Sequence, residues 1–281
     1  MDEALLAYLD GDMPGAAKPP RPGLVSLSTS ATPPEPAPQR AAQPDPDGAT
    51  QFVIDPAQGR IRRMRSSILT GARLIQERMA NSGQRWKPAF LHLTYADQDA
   101  FDARQISGLI DRIRKWAKRR NLPPLPFIWV LERGSRHGRL HYHLMIWLPK
   151  GVTLPKPDKQ GWWPWGSTRI EWARSAVRYM AKYASKGGKD TDQPFPKGAR
   201  IHGKGGLTAT ERSQCAWWRA PTWVKQVWPD WQDEPRPAVG GGWISRVTGD
   251  WLPSPWMLIG FELGRPVVRW IADRPCPFAA A

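Results

Sequence analysis

Along residues 139–149, RLHYHLMIWLP, the apolar side chains Leu140, Tyr142, Leu144, Ile146 and Leu148 alternate with a second set that contains His141 and His143. Successive side chains of a strand point to opposite faces, so this pattern predicts a strand with one apolar face and both imidazoles on the other. PFIWVLERG, residues 126–134, predicts its hairpin partner, with Gly134 and Gly138 bounding the turn GSRHG. AFLHLTYA, residues 89–96, alternates in the same way, placing Leu91 and Leu93 opposite His92 and Thr94. Two stretches repeat at helical spacing instead. In residues 60–79 the stripe is Ile61, Met64, Ile68, Ala72, Ile75 and Met79, with arginines between them. In residues 100–120 it is Ile106, Leu109, Ile110, Ile113 and Trp116, and Asp97 or Asp99 is the expected cap. A Pro/Gly/Trp-rich loop, a short strand STRIEW and a helix from about Ala173 to Lys186 complete the series.

The order β-α-β-β-loop-β-α predicts an α+β fold. Its centre is an antiparallel sheet of the RRM or ferredoxin-like kind, with helices on one face and the other face open for a ligand. Three regions are expected. Residues 1–55 read as a disordered Pro/Ala-rich leader, because 13–50 hold almost no large apolar side chains to offset the entropy cost of ordering. Residues 56–207 form the main domain. Residues 208–281 form an accessory region, a helix with a tryptophan stripe followed by a small β-meander, with most of its tryptophans in the core.

Charge narrows the function. The net charge is +16, yet residues 1–50 carry three Lys/Arg against seven Asp/Glu, so the rest of the chain carries 38 basic against 18 acidic side chains. A body that basic expects a polyanion, and nucleic acid is the usual one. Seventeen tryptophans offer faces on which bases can stack, although a GC-rich coding sequence also raises Arg, Pro and Trp. Cys215 and Cys276 fit neither a metal-ligand spacing nor a disulfide framework. With no apolar run of membrane-span length and an acidic start, the expectation is a soluble protein of the cytoplasm of a bacterial host, with no membrane partner.

The helix ARSAVRYMAKYASKGG places Tyr179, Lys182, Tyr183 and Lys186 on one face, at i, i+3, i+4 and i+7. Val177, Met180, Ala181 and Ala184 cover the opposite side. Alone, a His-x-His is more often a pair of satisfied histidines, and a Tyr-x-x-Lys more often a solvated helix face. Their ordered occurrence in a basic chain is more specific.

With FLHLTY (90–95), LHYHL (140–144) and YMAKYASK (179–186), the chain resembles the HUH endonucleases of rolling-circle replication, in particular replication initiators of small bacterial single-stranded DNA phages and plasmids. The Gly-rich ARIHGKGGL (199–207) extends the likeness, while His92 stands where a small residue such as threonine is frequent. The resemblance implies a site-specific DNA endonuclease and strand transferase that cuts single-stranded DNA at a replication origin. Tyr179 would be its nucleophile and form a 5′-phosphotyrosine. Tyr183 is either a second, alternating nucleophile or a packing residue. His141, His143 and Glu132 would hold a divalent metal ion, Mg2+ or Mn2+. Glu132 has a second reading as a salt-bridge partner of Arg133 or Arg139. Lys182 either stabilises phosphate charge or is an ordinary helix lysine. Thr94, His92, Lys186 and Arg139 are the expected DNA contacts, and His137 is a metal candidate, a DNA contact or simply exposed. No GxxxxGK[ST] motif occurs, so unwinding is expected from a host helicase and extension from a host polymerase. Two rivals remain at this stage: a non-catalytic nucleic-acid-binding protein on an RRM-like sheet, and a transposase or relaxase of the same chemistry.

Overall fold

The computed structural model describes residues 51–97, 100–134, 138–186, 195–239 and 241–271, and for 183–186 the backbone alone. The expected leader falls almost wholly outside these residues, as do Asp99, His137 and Cys276.

The first helix, α1 (Pro56–Asn81), starts where the Asp55 carboxylate accepts from the backbone N–H groups of Ala57 and Gln58, with Pro56 in the first turn. Every member of its predicted stripe is buried. The second, α2 (Gln105–Arg119), likewise buries its predicted stripe, but it begins later than Asp97 or Asp99 would allow. The Gln105 side chain is the reason. Its Oε1 accepts from the Tyr95 hydroxyl and its Nε2 donates to Ala100 O, which commits the preceding residues to a turn closed by Asp102 on the Arg104 N–H.

Five strands form the central antiparallel sheet: β2 (Trp86–Thr94), β3 (Phe127–Arg133), β4 (Leu140–Pro149), β5 (Thr168–Trp172) and β6 (His202–Gly205), in the order β5-β2-β4-β3-β6. The helix α3 (Ala176–Lys186) begins three residues later than expected, because the Ala173 N–H still bonds Pro88 O alongside β2.

Each face of the sheet has its own core. Leu91, Leu93, Trp129, Leu131, Tyr142, Leu144 and Ile146 pack beneath α2. On the other face Phe90, Ile128, Val130, Met145 and Trp147 pack beneath the stripes of α1 and α3. Helices therefore lie on both faces, and the expectation of helices on one face with the other open is corrected. The apolar rows at 128, 130, 145 and 147 continue the histidine face of the strands and themselves require a cover. What α1 and α3 leave open is one end of that face.

A loop over 150–167 closes the end of β2. Trp163 is fully buried with its Nε1 donating to Thr94 O, and Ala96 N donates to Trp165 O. Gly166 is needed there, since a Cβ would stand 2.1 Å from Thr94 O.

Beyond the sheet, α4 (Ala209–Trp218) opens on a capping box between Thr208 and Glu211 and packs on α1, where Arg78 pairs with Glu211 at 2.8 Å. A short α5 (Thr222–Val227) follows. The rest is two small sheets rather than one meander. One is β7-β8-β9 (Pro235–Pro237, Trp243–Ser245, Trp251–Leu252), and the other joins β10 (Trp256–Glu262) and β11 (Arg265–Trp270) to β1 (Gln51–Val53). Residues 51–53, placed in the leader by composition, are thus a strand. Among the accessory tryptophans Trp228 is buried, Trp251 is exposed, and Trp256 meets Trp270 edge-on at 4.8 Å. No helix among the described residues is long and apolar enough to cross a membrane.

His202 on β6 gives a stability prediction. Burial, and then the cations Lys204, Arg219, Arg200 and Arg60, push its pKa down from 6.5 to about 4. The folded chain keeps this imidazole neutral where the unfolded chain protonates it. The contribution is therefore complete above about pH 6.5 and is lost as pH falls toward 4. It should amount to on the order of 2 kcal/mol after solvent screening. Urea melts at pH 7 and pH 4.5 should show a smaller acid loss for His202→Gln than for the parent chain; equal losses would contradict the assignment.

Candidate active site

Strand register assembles the site. Across β2, β4 and β3, His92 pairs with His143, Thr94 with His141, and His141 with Glu132. All five side chains share one face, at the end that α1 and α3 leave open.

Glu132 and His143 are both buried, at 8% and 6% exposure, and the His143 Nε2 lies 2.7 Å from Glu132 Oε2. A carboxylate and an imidazole withdrawn from water at this depth need such a partner. The His143 ring stacks parallel on Phe90 at 5.6 Å, and His92 meets both rings edge-on. His141 turns toward the end of β3, where Gly134 makes room: a Cβ there would stand 2.7 Å from its Nε2. Burial foremost, and next the neighbouring His143, push the His92 pKa down to about 4 and lower that of His141. These two rings are neutral near pH 7 and present lone pairs.

Tyr179 leans on Phe90 from α3, ring to ring at 5.2 Å, so a single phenyl ring separates it from His143. Beside it a cleft of about 650 Å³ is walled by Tyr179, Lys182 and Arg178 from α3, by His92 and Thr94 from β2, by Arg169 and Glu171 from β5, and by Ser167 from the loop before β5. Thr94 is held there by its hydroxyl, 2.8 Å from the Ser167 hydroxyl and 3.0 Å from Ser167 O. The pair Arg169 and Glu171, 2.7 Å apart, lies on the wall opposite α3, with Glu171 4.0 Å from His92.

Five tyrosines occur in the sequence. Tyr95 and Tyr142 are buried in the opposite core, where burial pushes both phenols well above the ordinary range. Tyr8 is outside the described residues, and Tyr183 lies on α3 with its side chain outside them. Among the described tyrosine side chains, Tyr179 alone faces the cleft.

Of the other expected residues, Arg139 is exposed at the start of β4, beside His141, and Lys186 ends α3 with its side chain outside the described set. Arg133 donates to Gly138 O at 2.7 Å. Arg169, Glu171, Ser167 and Arg178 were not anticipated. STRIEW does put Arg169 and Glu171 on one face by alternation, but only the pairing of β5 with β2 turns that face toward His92.

The donor types of His141, His143 and Glu132 fit a divalent cation, since two imidazoles and one carboxylate form a common ligand set with open positions. In the arrangement described, Glu132 Oε2 is taken up by His143, and no three His, Cys, Asp or Glu side chains among the described residues are gathered as a ligand group.

No curated protein and no solved structure matches the chain. Residues 88–188, which run from β2 to the end of α3 and contain every residue of this site, match the family described as Replication-associated protein, of the ORF2 group, and it is to this family that the segment is similar.

Proposed function

We propose that the chain is a replication initiator that nicks and rejoins single-stranded DNA at an origin and so starts and ends rolling-circle replication. The observation that carries this reading is the placement of a half-buried tyrosine and a lysine, one turn apart on α3, in the same cleft as His92 and Thr94 and one ring away from the paired His143 and Glu132. The similarity of residues 88–188 to replication-associated proteins supports it.

In this mechanism the Tyr179 oxygen attacks phosphorus in line as its phenol gives up a proton. The P–O3′ bond breaks, and the departing 3′ oxygen takes up a proton. The products are a 5′-phosphotyrosine and a 3′-hydroxyl that a host polymerase can extend. The phosphotyrosine keeps the energy of the broken bond, so a later 3′-hydroxyl can reverse the step and reseal the strand. Lys182 and Arg178 stand where they can balance phosphate charge, and His92 and Thr94 present acceptor and donor groups to the strand. Held by Glu132, His141 and His143, Mg2+ or Mn2+ would polarise the scissile phosphate and neutralise developing charge. Tyr183, one turn from Tyr179, would serve as the second nucleophile of a two-tyrosine cycle, with Lys186 and Arg139 as further strand contacts.

The test is incubation of the full chain with labelled single-stranded origin DNA and Mn2+, resolved on a denaturing gel. A covalent protein–DNA band, abolished by EDTA, is expected. Tight binding without any adduct would assign the chain to the non-catalytic binding proteins instead.

A further inference from the structure

A second hollow of about 590 Å³ lies at the opposite edge of the sheet, between α1, β6, α4 and the β7-β8 hairpin. Five cations line it: Arg63, Lys204, Arg212, Arg219 and Arg236, together with the indole of Trp243. No carboxylate is among its lining residues, and none of the five cations forms an ion pair with a described residue.

Four of the five are nevertheless held in place. Arg212 donates to Leu207 O at 2.8 Å, Arg219 to Cys215 O at 3.0 Å, and Arg236 to Pro235 O at 3.2 Å and the Ser213 hydroxyl at 3.5 Å. Lys204 donates to Ser67 O at 2.9 Å. A guanidinium carries five N–H donors and an ammonium three, so each anchored group retains donors for a ligand. Burial lowers the pKa of both Lys204 and Arg236, the sign of cations gathered at some cost. Five positive charges line one hollow, and the nearby Glu234 carboxylate offsets Arg236, so an entering anion would relieve the repulsion among the remaining cations.

We propose that this hollow is a second DNA-binding site, which grips the phosphodiester chain of the substrate away from the point of cleavage. A polyanion meets the charge, and Trp243 supplies a face for a base, which inorganic phosphate would leave unused. Arginine forks suit phosphate oxygens in particular. β6 lies two strand spacings from β4, and Lys204 pairs with Ile128, four residues along β3 from Glu132, which sets the hollow roughly 17 Å from the histidines. Along a duplex that span is about five base pairs, so the second site would hold the DNA that flanks the nick rather than the nick itself. The choice of DNA as ligand rests on the proposed nicking function, whereas the charged hollow does not.

The test is fluorescence anisotropy in a Tyr179→Phe background, which separates binding from chemistry. The probes are a fluorescein-labelled mixed-sequence 30-mer, single-stranded and as a duplex with a single-stranded overhang. Arg212→Glu with Arg236→Glu should weaken binding at least about 10-fold at low salt and reduce the slope of log K against log[salt] by about two. Lys115→Glu with Arg119→Glu, the same charge change on the exposed side of α2, should weaken it much less. Equal losses from both pairs would reduce the effect to net charge and overturn the proposal. A thermal shift with inorganic phosphate or a mononucleotide that the hollow's substitutions abolish, with DNA affinity unchanged, would overturn it as well, by assigning a small-anion site. Because Arg212→Gln with Arg236→Gln keeps the packing of the stems, its melting temperature and its intermediate DNA affinity guard against misfolding. Covalent adduct formation by the Tyr179-containing variant on a short oligonucleotide spanning only the cut should persist, so failure of the nicking function and failure of the second site are read separately.

Discussion

Tyr179→Phe is expected to abolish the covalent protein–DNA adduct, with a fall in nicking rate on the order of 10^4-fold or more, equivalent to about 5.5 kcal/mol of transition-state stabilisation. Loss of one hydroxyl removes the attacking atom and little else. The ring stays to pack on Phe90, so the melting temperature should hold within a degree or two and single-stranded DNA affinity should be nearly unchanged. Tyr183→Phe separates the two readings of the second tyrosine. In a two-tyrosine cycle it permits the first adduct but blocks turnover, so adduct accumulates and religated product falls. If Tyr183 only packs, both steps proceed. An adduct formed undiminished by Tyr179→Phe would sink the assignment of Tyr179 and move the first attack to another tyrosine, Tyr183 foremost, because Tyr95 and Tyr142 lie buried in the far core.

What the sequence made legible follows from the range of the physics involved. The stripes of α1 and α2 and the faces of β2 and β4 depend on the period of the backbone and on burial, and a window of a dozen residues contains both. The buried sets Ile61 to Met79 and Ile106 to Trp116 were therefore readable from residue spacing alone. Helix starts were less so. Gln105 fixes the start of α2 through Tyr95, and β2 delays α3 by holding Ala173, and both are tertiary contacts. Placement across the sheet was the least accessible. Arg169 and Glu171 reach the cleft only because β5 pairs with β2 at one edge, and the basic hollow exists only because β6 pairs with β3 at the other. The closure of the histidine face by α1 was hidden for a related reason. Met145 and Trp147 extend the same row as His141 and His143, and a single strand does not say where along it a covering helix stops.

The pairing of Glu132 with His143 decides a further expectation of large size. A carboxylate at this depth, opposite His141 in register and 2.7 Å from His143, has two candidate duties: to fix the imidazole, or to bind a cation together with it. Glu132→Gln separates them, since the amide keeps the shape and an acceptor oxygen for the His143 N–H but loses the charge. If the carboxylate only orients His143, the substitution costs about 1 kcal/mol of stability and leaves Mn2+ binding as it was. If it is a ligand, the fold should survive while Mn2+ affinity, read by calorimetry or by the paramagnetic signal of free ion, falls at least about 10-fold. Nicking should then drop by about 10^3-fold, because charge developing on phosphate oxygens loses its counterpart. His141→Ala gives the complementary result. His141 lies over Gly134 and is only half-buried, so its removal disturbs little packing. A fall in Mn2+ affinity with an unchanged melting curve would then place it in the ligand set. A variant of either kind that binds Mn2+ as the parent does would return the pair to a structural role and leave the nicking chemistry to α3 and the cleft beside it.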